Sequence, residues 1–286
     1  MAKIGVQAST VKSAFVELGT YETLRKVNDV GYHAIEMSQV AMTPENLAEM
    51  KRAREDLGME FAALSAQMTK PLGAPADSLA EDFDKIVADC ETLGTSMLRM
   101  GMLPFDAMGS LDLVVDFARS AEEAAVRLRD HGIDLYYHNH HIEFAKFDGR
   151  YMLDVIADTA PTMGLELDVH WIHRGGLDPV TVLAKYAGRV RLVHLKDYRI
   201  GQLPPSAMEF IAAGDFGAFM TAFTGVVQFA EVGQGNLDWP RIIEQATASG
   251  AQYLLVEQDD TYGRDPFDSL AMSRDHLIQL GHADLF

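Results

Sequence analysis

The stretch VRLVHLKD (190–197) is an apolar, strand-like run that ends abruptly in residues able to bind a metal ion. The same pattern recurs in YYHNHHIEF (136–144), LELDVH (165–170) and YLLVEQDD (253–260). The carboxyl ends of all strands in a parallel barrel point to one face, so residues distant in sequence meet there. We therefore expect three carboxylates and one imidazole to bind a divalent cation: Glu143, Asp168, His194 and Glu257.

Eight strand-like runs alternate with eight helical patterns along the chain. The candidate strands are residues 3–9, 33–38, 59–66, 96–102, 133–138, 164–169, 189–195 and 252–258. The helical patterns are residues 20–31, 43–58, 79–94, 111–132, 151–160, 178–188, 237–250 and 268–281. Alternation implies parallel pairing, and eight repeats allow closure. We predict an α/β fold with one domain over residues 1–286, a single (β/α)8 TIM barrel with a long insertion after strand seven.

The predicted insertion lies between Asp197 and Leu237, and it exceeds the ~2–6 residues of an ordinary connection in such folds. We expect a short helix, then an extra strand and a Gly-rich turn. Loops at this end of a barrel face the ligand. The insertion is therefore a candidate lid or subunit contact, with a purely structural insertion as the alternative. Its apolar residues favour a homo-oligomer: Met208, Phe210, Phe216, Phe219, Met220 and Phe223.

Composition and charge exclude several classes of partner. The chain has 286 residues, 48% of them hydrophobic, and a formal net charge of −18. With Lys and Arg scattered, this charge disfavours nucleic acid and anionic membranes. The single cysteine, Cys90, cannot form an internal disulfide, and the sequence begins MAKIGVQAST without a secretory pattern. We expect a cytoplasmic protein with no nucleic-acid or membrane partner.

Strand five leaves its metal ligand open. His138, His140 and Glu143 can each reach the centre, and alternation places the two histidines on one face. A carboxylate favours Mg²⁺ or Mn²⁺, whereas imidazoles suit Mn²⁺, Co²⁺ or Zn²⁺.

Two further groups of residues are candidates for binding and orientation. Arg174 can clamp a polyhydroxyl or anionic substrate, and His170 and Trp171 can line the pocket, with surface packing as the alternative. Lys196 and Asp197 are candidate partners that orient His194 or a substrate oxygen. Gly233-Gln234-Gly235 is more typical of a tight turn than of a phosphate site.

The chain resembles the xylose isomerase-like TIM-barrel superfamily, the sugar phosphate isomerase/epimerase family. The resemblance covers nearly the whole chain and is carried by YYHNHHIEF, GLELDVHW, GRVRLVHLKDY, FAEVGQGNLDWPRII and LLVEQD. It implies one divalent metal bound by strands five to eight, which carries over to Asp168, His194 and Glu257. Many members have a Glu where this chain has His138, and a His where it has Trp171.

The resemblance implies a metal-dependent isomerase or epimerase that moves a proton beside a metal-polarised carbonyl of a small carbohydrate. We expect Mn²⁺, with Mg²⁺, Co²⁺ or Zn²⁺ as alternatives. A lyase or dehydratase acting on a keto-sugar, 3-keto-glycoside or keto-inositol is the main alternative. A DNA-repair endonuclease is disfavoured by the charge, and a non-catalytic sugar-binding barrel would bind no metal. Predicted catalytic residues are His138, His140, Lys196 and Glu257, and predicted substrate-binding residues are His170, Trp171, Arg174 and Glu231.

Overall fold

Eight parallel strands close into a barrel in the computed structural model, which describes residues 2–70 and 76–286. The barrel strands, β1 to β8 in chain order, are Lys3–Gln7, Ala34–Glu36, Glu60–Ser65, Met97–Met100, Asp134–His138, Gly164–Asp168, Val190–Leu195 and Tyr253–Val256. Each strand pairs with the next one along the chain, and β1 pairs with β8. This confirms the predicted TIM barrel.

Helices connect the strands on the outside of the barrel. The α-helices are Lys12–Leu18, Thr20–Val30, Pro44–Leu57, Phe83–Leu93, Leu111–Arg129, Met152–Thr159, Val169–Arg174, Pro179–Lys185, Ser206–Ala212, Phe216–Thr224, Trp239–Ala248 and Pro266–Gln279. Short 3₁₀ helices are Ala8–Val11, Phe105–Ala107, Ile142–Phe144 and Ala283–Leu285. Each of the eight predicted helical patterns contains a helix, with differences at the ends. Among the described helices, none combines the length and hydropathy needed to cross a membrane.

Local chemistry accounts for the helix ends. Before Pro44–Leu57, the hydroxyl of Thr43 accepts a hydrogen bond from the Asn46 amide, and Pro44 occupies the first turn where no N–H is needed. The helix ends at Gly58, whose φ of +69° is favoured by glycine. Such caps give this helix defined ends.

The barrel interior changes from apolar to charged along the strands. Its floor is a buried cluster that includes Met97, Tyr136, Leu192 and Leu255. Because side chains alternate along a strand, the residues two positions further on share the same face. Those residues are Arg99, His138, His194 and Glu257, and all four are buried. An apolar floor therefore supports a layer of charged and titratable groups.

The segment after β7 has its own structure. Asp197–Ile200 pairs antiparallel with Val227–Ala230, and the two helices Ser206–Ala212 and Phe216–Thr224 lie between them in sequence. Several apolar side chains of these helices are exposed, including Met208 at 61% and Phe216 at 67%.

Candidate functional site

Four metal-capable side chains converge at the carboxyl ends of β5 to β8. They are His138, Asp168, His194 and Glu257, which we call the upper tier. One ligand atom from each lies within 4.8 Å of the others, and all four residues are buried. Three of the four predicted metal ligands thus come together, and the fourth position is taken by His138 instead of Glu143. The donor set is two carboxylates and two imidazoles, rather than three carboxylates and one imidazole.

His138 is oriented toward the other members of the upper tier. Its Nδ1 lies 3.3 Å from the carbonyl oxygen of Gly101, which can only accept, so Nδ1 carries the proton. The lone pair of Nε2 then faces Asp168 Oδ2 at 3.6 Å and His194 Nδ1 at 3.0 Å. Burial, together with the charge of Arg99, lowers the pKa of His138 and favours the neutral ring. A neutral imidazole with a free lone pair is the form that binds a metal ion.

Glu143 lies outside the upper tier because its carboxylate is engaged elsewhere. One oxygen accepts a hydrogen bond of 2.7 Å from the Tyr137 hydroxyl, and the other accepts one of 2.7 Å from the His140 amide. These contacts fix the turn that follows β5. The geometry thus assigns Glu143 a place in the loop structure, which corrects the expectation that it joins the metal-capable cluster.

Each carboxylate of the upper tier has one oxygen fixed and one facing the cluster. Asp168 Oδ1 accepts from the Trp171 amide, and Glu257 Oε1 accepts from the Ser9 hydroxyl. The other oxygens, Asp168 Oδ2 and Glu257 Oε2, accept no hydrogen bond of good geometry from the described residues, although the Lys196 ammonium lies near both. Buried carboxylate oxygens without such partners are costly unless a cation neutralises them. Together with two imidazoles, they fit Mn²⁺, Co²⁺ or Zn²⁺ better than Mg²⁺.

Lys196 is a buried ammonium beside the upper tier. Its Nζ lies 3.2 Å from Asp168 Oδ2, 2.8 Å from Glu257 Oε2 and 2.9 Å from Asp259 Oδ2. Burial alone would lower the pKa of Lys196, but these three carboxylates outweigh it and raise the pKa. In turn, burial would raise the pKa values of Asp168 and Glu257, and the nearby positive charges hold them below their usual range. At neutral pH the site therefore holds an ammonium beside ionised carboxylates.

A second charged group lies on the other side of the His194 ring. It consists of Glu36 on β2, Arg99 on β4 and Glu166 on β6, which we call the lower tier. Arg99 Nε lies 3.1 Å from Glu36 Oε1 and 2.7 Å from Glu166 Oε2. Burial and the charge of Glu166 raise the pKa of Glu36 to about 8. Burial would also raise the pKa of Glu166, but His194 and Arg99 hold it well below its usual range, so Glu166 is the ionised member.

The sequence interpretation missed the lower tier, although a signal was present. Each of its residues interrupts an apolar strand: HAIEMS, SMLRMGM and GLELDV. A charged residue inside a buried strand needs a partner of opposite charge. Glu166 also precedes Asp168 by two positions, so both face the barrel interior.

His140 and His170 lie beside the upper tier as neutral rings. The His140 ring lies edge-on to His138 at 4.7 Å, and its Nδ1 has no hydrogen-bond partner among the described residues. Burial, as the largest cause, lowers the pKa of His140 to about 2. His170 stacks on Phe229 at 5.0 Å, and burial lowers its pKa to about 4. His170 therefore links β6 to the hairpin that follows β7.

The other predicted binding residues differ in their position. Trp171 is partly buried, with its ring 5.6 Å from His140 and 5.3 Å from Lys196 Nζ. Arg174 is exposed in the last turn of Val169–Arg174. Glu231 is buried but accepts from Ser269 at 3.0 Å and pairs with Arg264. The geometry places Trp171 at the site, whereas the contacts of Glu231 lie with the segment after β8.

Asp197 was a candidate for orienting His194, but its carboxylate organises the Gly-rich turn. Its carboxylate accepts hydrogen bonds from the amides of Gly233, Gly235 and Leu237 and from the Trp239 ring. A Cβ on Gly235 would lie 2.2 Å from Asp197 Oδ1, so only glycine fits. The turn that could have held a phosphate holds the chain's own carboxylate, as expected for a structural turn.

A cavity of about 730 Å³ opens over the carboxyl ends of β2 to β4. Its lining includes Ser38, Ser65, Gln67 and Arg99, and Arg99 connects it to the lower tier. A cavity of this size is in the range of small-molecule sites.

Comparison with known proteins agrees with this architecture. A family model described as xylose isomerase-like TIM barrel matches residues 24–279. The chain belongs to the xylose isomerase-like TIM barrel family. This confirms the resemblance found in the sequence.

Three similar proteins illustrate the range of the family. The rhizopine catabolism protein MocC of Rhizobium meliloti is 27% identical over 169 residues, which are 58% of this chain and only about half, 50%, of that protein. A sugar phosphate isomerase/epimerase from Parabacteroides distasonis has a TM-score of 0.72 at 22% identity, covering 97% of this chain and 98% of the other. The probable 3-DHS dehydratase AsbF from Bacillus anthracis has a TM-score of 0.68 at 12% identity, covering 98% and 99%. At these identities the solved structures establish the fold.

Proposed function

We propose that this protein is a metal-dependent isomerase or epimerase of a small sugar or polyol. The observation that carries the proposal is the convergence of His138, Asp168, His194 and Glu257, with ligand atoms within 4.8 Å. Membership of the family and the isomerase/epimerase name of a structural neighbour support it.

The upper tier would hold one divalent ion, with Mn²⁺ as the expected metal. His138 Nε2, Asp168 Oδ2, His194 Nδ1 and Glu257 Oε2 are the atoms that face one another. A bound ion supplies Lewis acidity that polarises a substrate carbonyl and orients a neighbouring oxygen. The lowered pKa of Asp168 and Glu257 keeps their oxygens ionised for this purpose.

The proton transfers are assigned to one member of the upper tier and to residues beside it. Glu257 is ionised and can accept a proton from a substrate carbon, which makes it the proposed base. His140 reaches the site from β5, which is not a neighbour of β8, and it is the proposed second proton-transfer group. Its pKa of about 2 requires that negative charge on a bound substrate raise it for this role. Lys196, as a buried ammonium, can stabilise negative charge that develops on a substrate oxygen. Trp171 and His170 are proposed to line the substrate pocket.

A lyase acting on a keto-sugar, 3-keto-glycoside or keto-inositol is the second candidate. The Lys196 ammonium lies 2.8 Å from Glu257, so a proton donor adjoins the proposed base. Elimination requires both groups: one removes the proton beside the carbonyl and the other protonates the leaving oxygen. The dehydratase name of one structural neighbour is consistent with this reading.

A single incubation separates the two candidates. The Mn²⁺-loaded protein is mixed with a 3-keto-glucoside in D₂O, and the products are followed by NMR and mass spectrometry. Deuterium uptake beside the carbonyl with an intact glycosidic bond supports the isomerase or epimerase, whereas release of the aglycone supports the lyase. Metal analysis of Asp168→Ala and His194→Ala tests the shared premise, because neither variant should retain the ion. Retention equal to that of the unmodified chain would contradict both candidates.

Three earlier predictions remain proposals. We propose that the barrel and its insertion form one domain and that the protein is cytoplasmic. We also propose a homo-oligomer, supported by the exposed apolar side chains of the insertion, among them Met208, Phe216 and Phe223.

A further inference from the structure

The two ring nitrogens of His194 face two different groups of carboxylates. Nδ1 faces the upper tier, 2.8 Å from Glu257 Oε2. Nε2 faces the lower tier, 3.4 Å from Glu36 Oε2 and 3.2 Å from Glu166 Oε1. His194 is therefore the direct link between the two tiers.

Arg99 determines which carboxylate oxygens of the lower tier remain for His194. Its Nε lies 2.7 Å from Glu166 Oε2 and 3.1 Å from Glu36 Oε1, so each carboxylate places one oxygen on the guanidinium. The opposite oxygen of each carboxylate faces His194 Nε2. Arg99 is itself anchored by the Ser38 hydroxyl at 3.0 Å. These contacts hold the two acceptors in place before any ligand arrives.

The contacts at Nε2 matter because the two nitrogens of an imidazole ring take different roles when the ring binds a metal. A histidine binds a metal through one nitrogen while the other carries a proton, and the hydrogen bond at that second nitrogen selects the form. Carboxylate oxygens lie against both nitrogens: Glu257 Oε2 at Nδ1, and the lower tier at Nε2. A cation bound to the upper-tier oxygens and Nδ1 would occupy the Nδ1 side, and the acceptors of the lower tier would keep a proton at Nε2.

We propose that the lower tier is a positioning device that keeps the proton on His194 Nε2 and presents Nδ1 to the metal ion. The inference rests on the proposed function, because it assumes that the upper tier binds a metal. Glu36 and Glu166 are positioning residues that act through His194. Glu166, the ionised member, has the larger expected influence, since an ionised acceptor raises the basicity of the metal-binding nitrogen more than a neutral group does.

The cost of the lower tier supports a role beyond packing. Burying two carboxylates and a guanidinium in a barrel costs free energy that apolar side chains would not require. The floor beneath it, which includes Tyr136, Leu192 and Leu255, shows that this barrel fills space with apolar groups elsewhere. The charged residues of the lower tier lie directly beside His194.

Zinc affinity measured by titration calorimetry tests the proposal on the full-length chain. Glu166→Gln keeps the side-chain size and removes the ionised acceptor, and Glu36→Gln keeps the size and exchanges the carboxyl group for an amide. We expect the dissociation constant for Zn²⁺ to rise about 10–100-fold in Glu166→Gln, and less in Glu36→Gln. Asp89→Asn is the matched control, because Asp89 is also a buried carboxylate but pairs with Lys85 on an outer helix. This variant should bind Zn²⁺ as tightly as the unmodified chain.

A second measurement uses the unmodified chain, so it does not require the variants of the lower tier to fold. In the zinc-loaded unmodified chain with ¹⁵N-labelled histidine, the His194 ring should carry its proton on Nε2 and bind zinc through Nδ1. The ring is assigned by comparison with His194→Gln. Zinc bound through Nε2, or unchanged affinity in both folded glutamine variants, would overturn the inference while leaving the proposed function intact. Absence of zinc binding in the unmodified chain would overturn the proposed function and this inference with it.

Discussion

The two halves of the barrel mouth differ in what their strands present. Strands β5 to β8 each lead into a member of the upper tier, with ligand atoms within 4.8 Å of one another. Strands β2 and β4 instead supply Glu36 and Arg99 to the lower tier, and the carboxyl ends of β2 to β4 border the cavity. The half formed by β5 to β8 contains the groups that can bind a cation. The half formed by β2 to β4 supplies residues beside these groups and borders the cavity.

This difference shows how a barrel of eight similar strand–helix repeats comes to have its metal-capable residues on one side. The halves share the same strand–helix repeat, so the backbone alone does not distinguish them. Side chains at the strand ends do, because they decide where charge is buried. Matched substitutions in the two halves therefore test this difference.

The largest expected effect is at Lys196. Lys196→Met keeps the length of the side chain but removes the ammonium that lies 2.8 Å from Glu257. We expect turnover to fall about 10²–10³-fold, the range for loss of a group that stabilises developing negative charge, while the metal content is retained. Turnover assays combined with metal analysis check this. Lys185→Met, at an exposed lysine paired with Asp154, is the control, and equal losses in the two variants would contradict a role for Lys196.

The next largest effect is expected for the metal ligand at strand five, where His138 and Glu143 are compared. His138→Ala should weaken Mn²⁺ binding by roughly 100-fold or more, exceeding the 10–100-fold typical of outer partners. Glu143→Gln should have a much smaller effect, because its oxygens are bound to Tyr137 and His140. Ser65→Ala in the other half serves as the control. If Glu143→Gln lost the metal and His138→Ala kept it, the assignment of the strand-five ligand would be reversed.

A stability effect is expected at the turn that Asp197 organises. Gly235→Ala would place a Cβ 2.2 Å from Asp197 Oδ1 and 2.3 Å from the Tyr198 carbonyl oxygen. Overpacking of this kind typically lowers the free energy of unfolding by ~1–3 kcal/mol. Urea denaturation of this variant beside Gly217→Ala, which lies in Phe216–Thr224 with more open surroundings, measures the difference. Similar stabilities would show that the turn tolerates the added atom.

The smallest expected effect at pH 6 and above is the pH dependence contributed by His170. Its pKa is about 4 in the folded chain because the ring is buried, against about 6.5 when unfolded. The folded state therefore binds the proton more weakly. The stability from this group is complete above about pH 6.5 and falls as pH drops toward 4, by ~1.4 kcal/mol per pH unit. Urea denaturation at pH 7, 6 and 5 should show this loss reduced in His170→Gln, and an unchanged slope would mean that the ring is not buried in its neutral form.

The fold could be predicted from the sequence because local signals repeat. Apolar runs and helix periodicity recur in the same order eight times, and glycine follows many of the helical patterns. Asp168, His194 and Glu257 were identifiable as well, since each lies at the end of an apolar run and parallel strands share a direction.

The remainder of the site depends on contacts that a sequence does not display. The choice between His138 and Glu143 turns on hydrogen bonds in the loop after β5, which direct the carboxylate to Tyr137 and His140. The lower tier joins β2, β4 and β6, and pairing across a barrel is a three-dimensional property. The short helix Val169–Arg174, which the Asp168 carboxylate caps, was also not predicted from the sequence.

Anomalous diffraction from a crystal grown with Mn²⁺ would test the account most directly. We expect one strong peak bound by His138 Nε2, Asp168 Oδ2, His194 Nδ1 and Glu257 Oε2, at ~2.0–2.3 Å. A metal ion bound by Glu143 and not by His138, or no peak in the upper tier at saturating Mn²⁺, would contradict it.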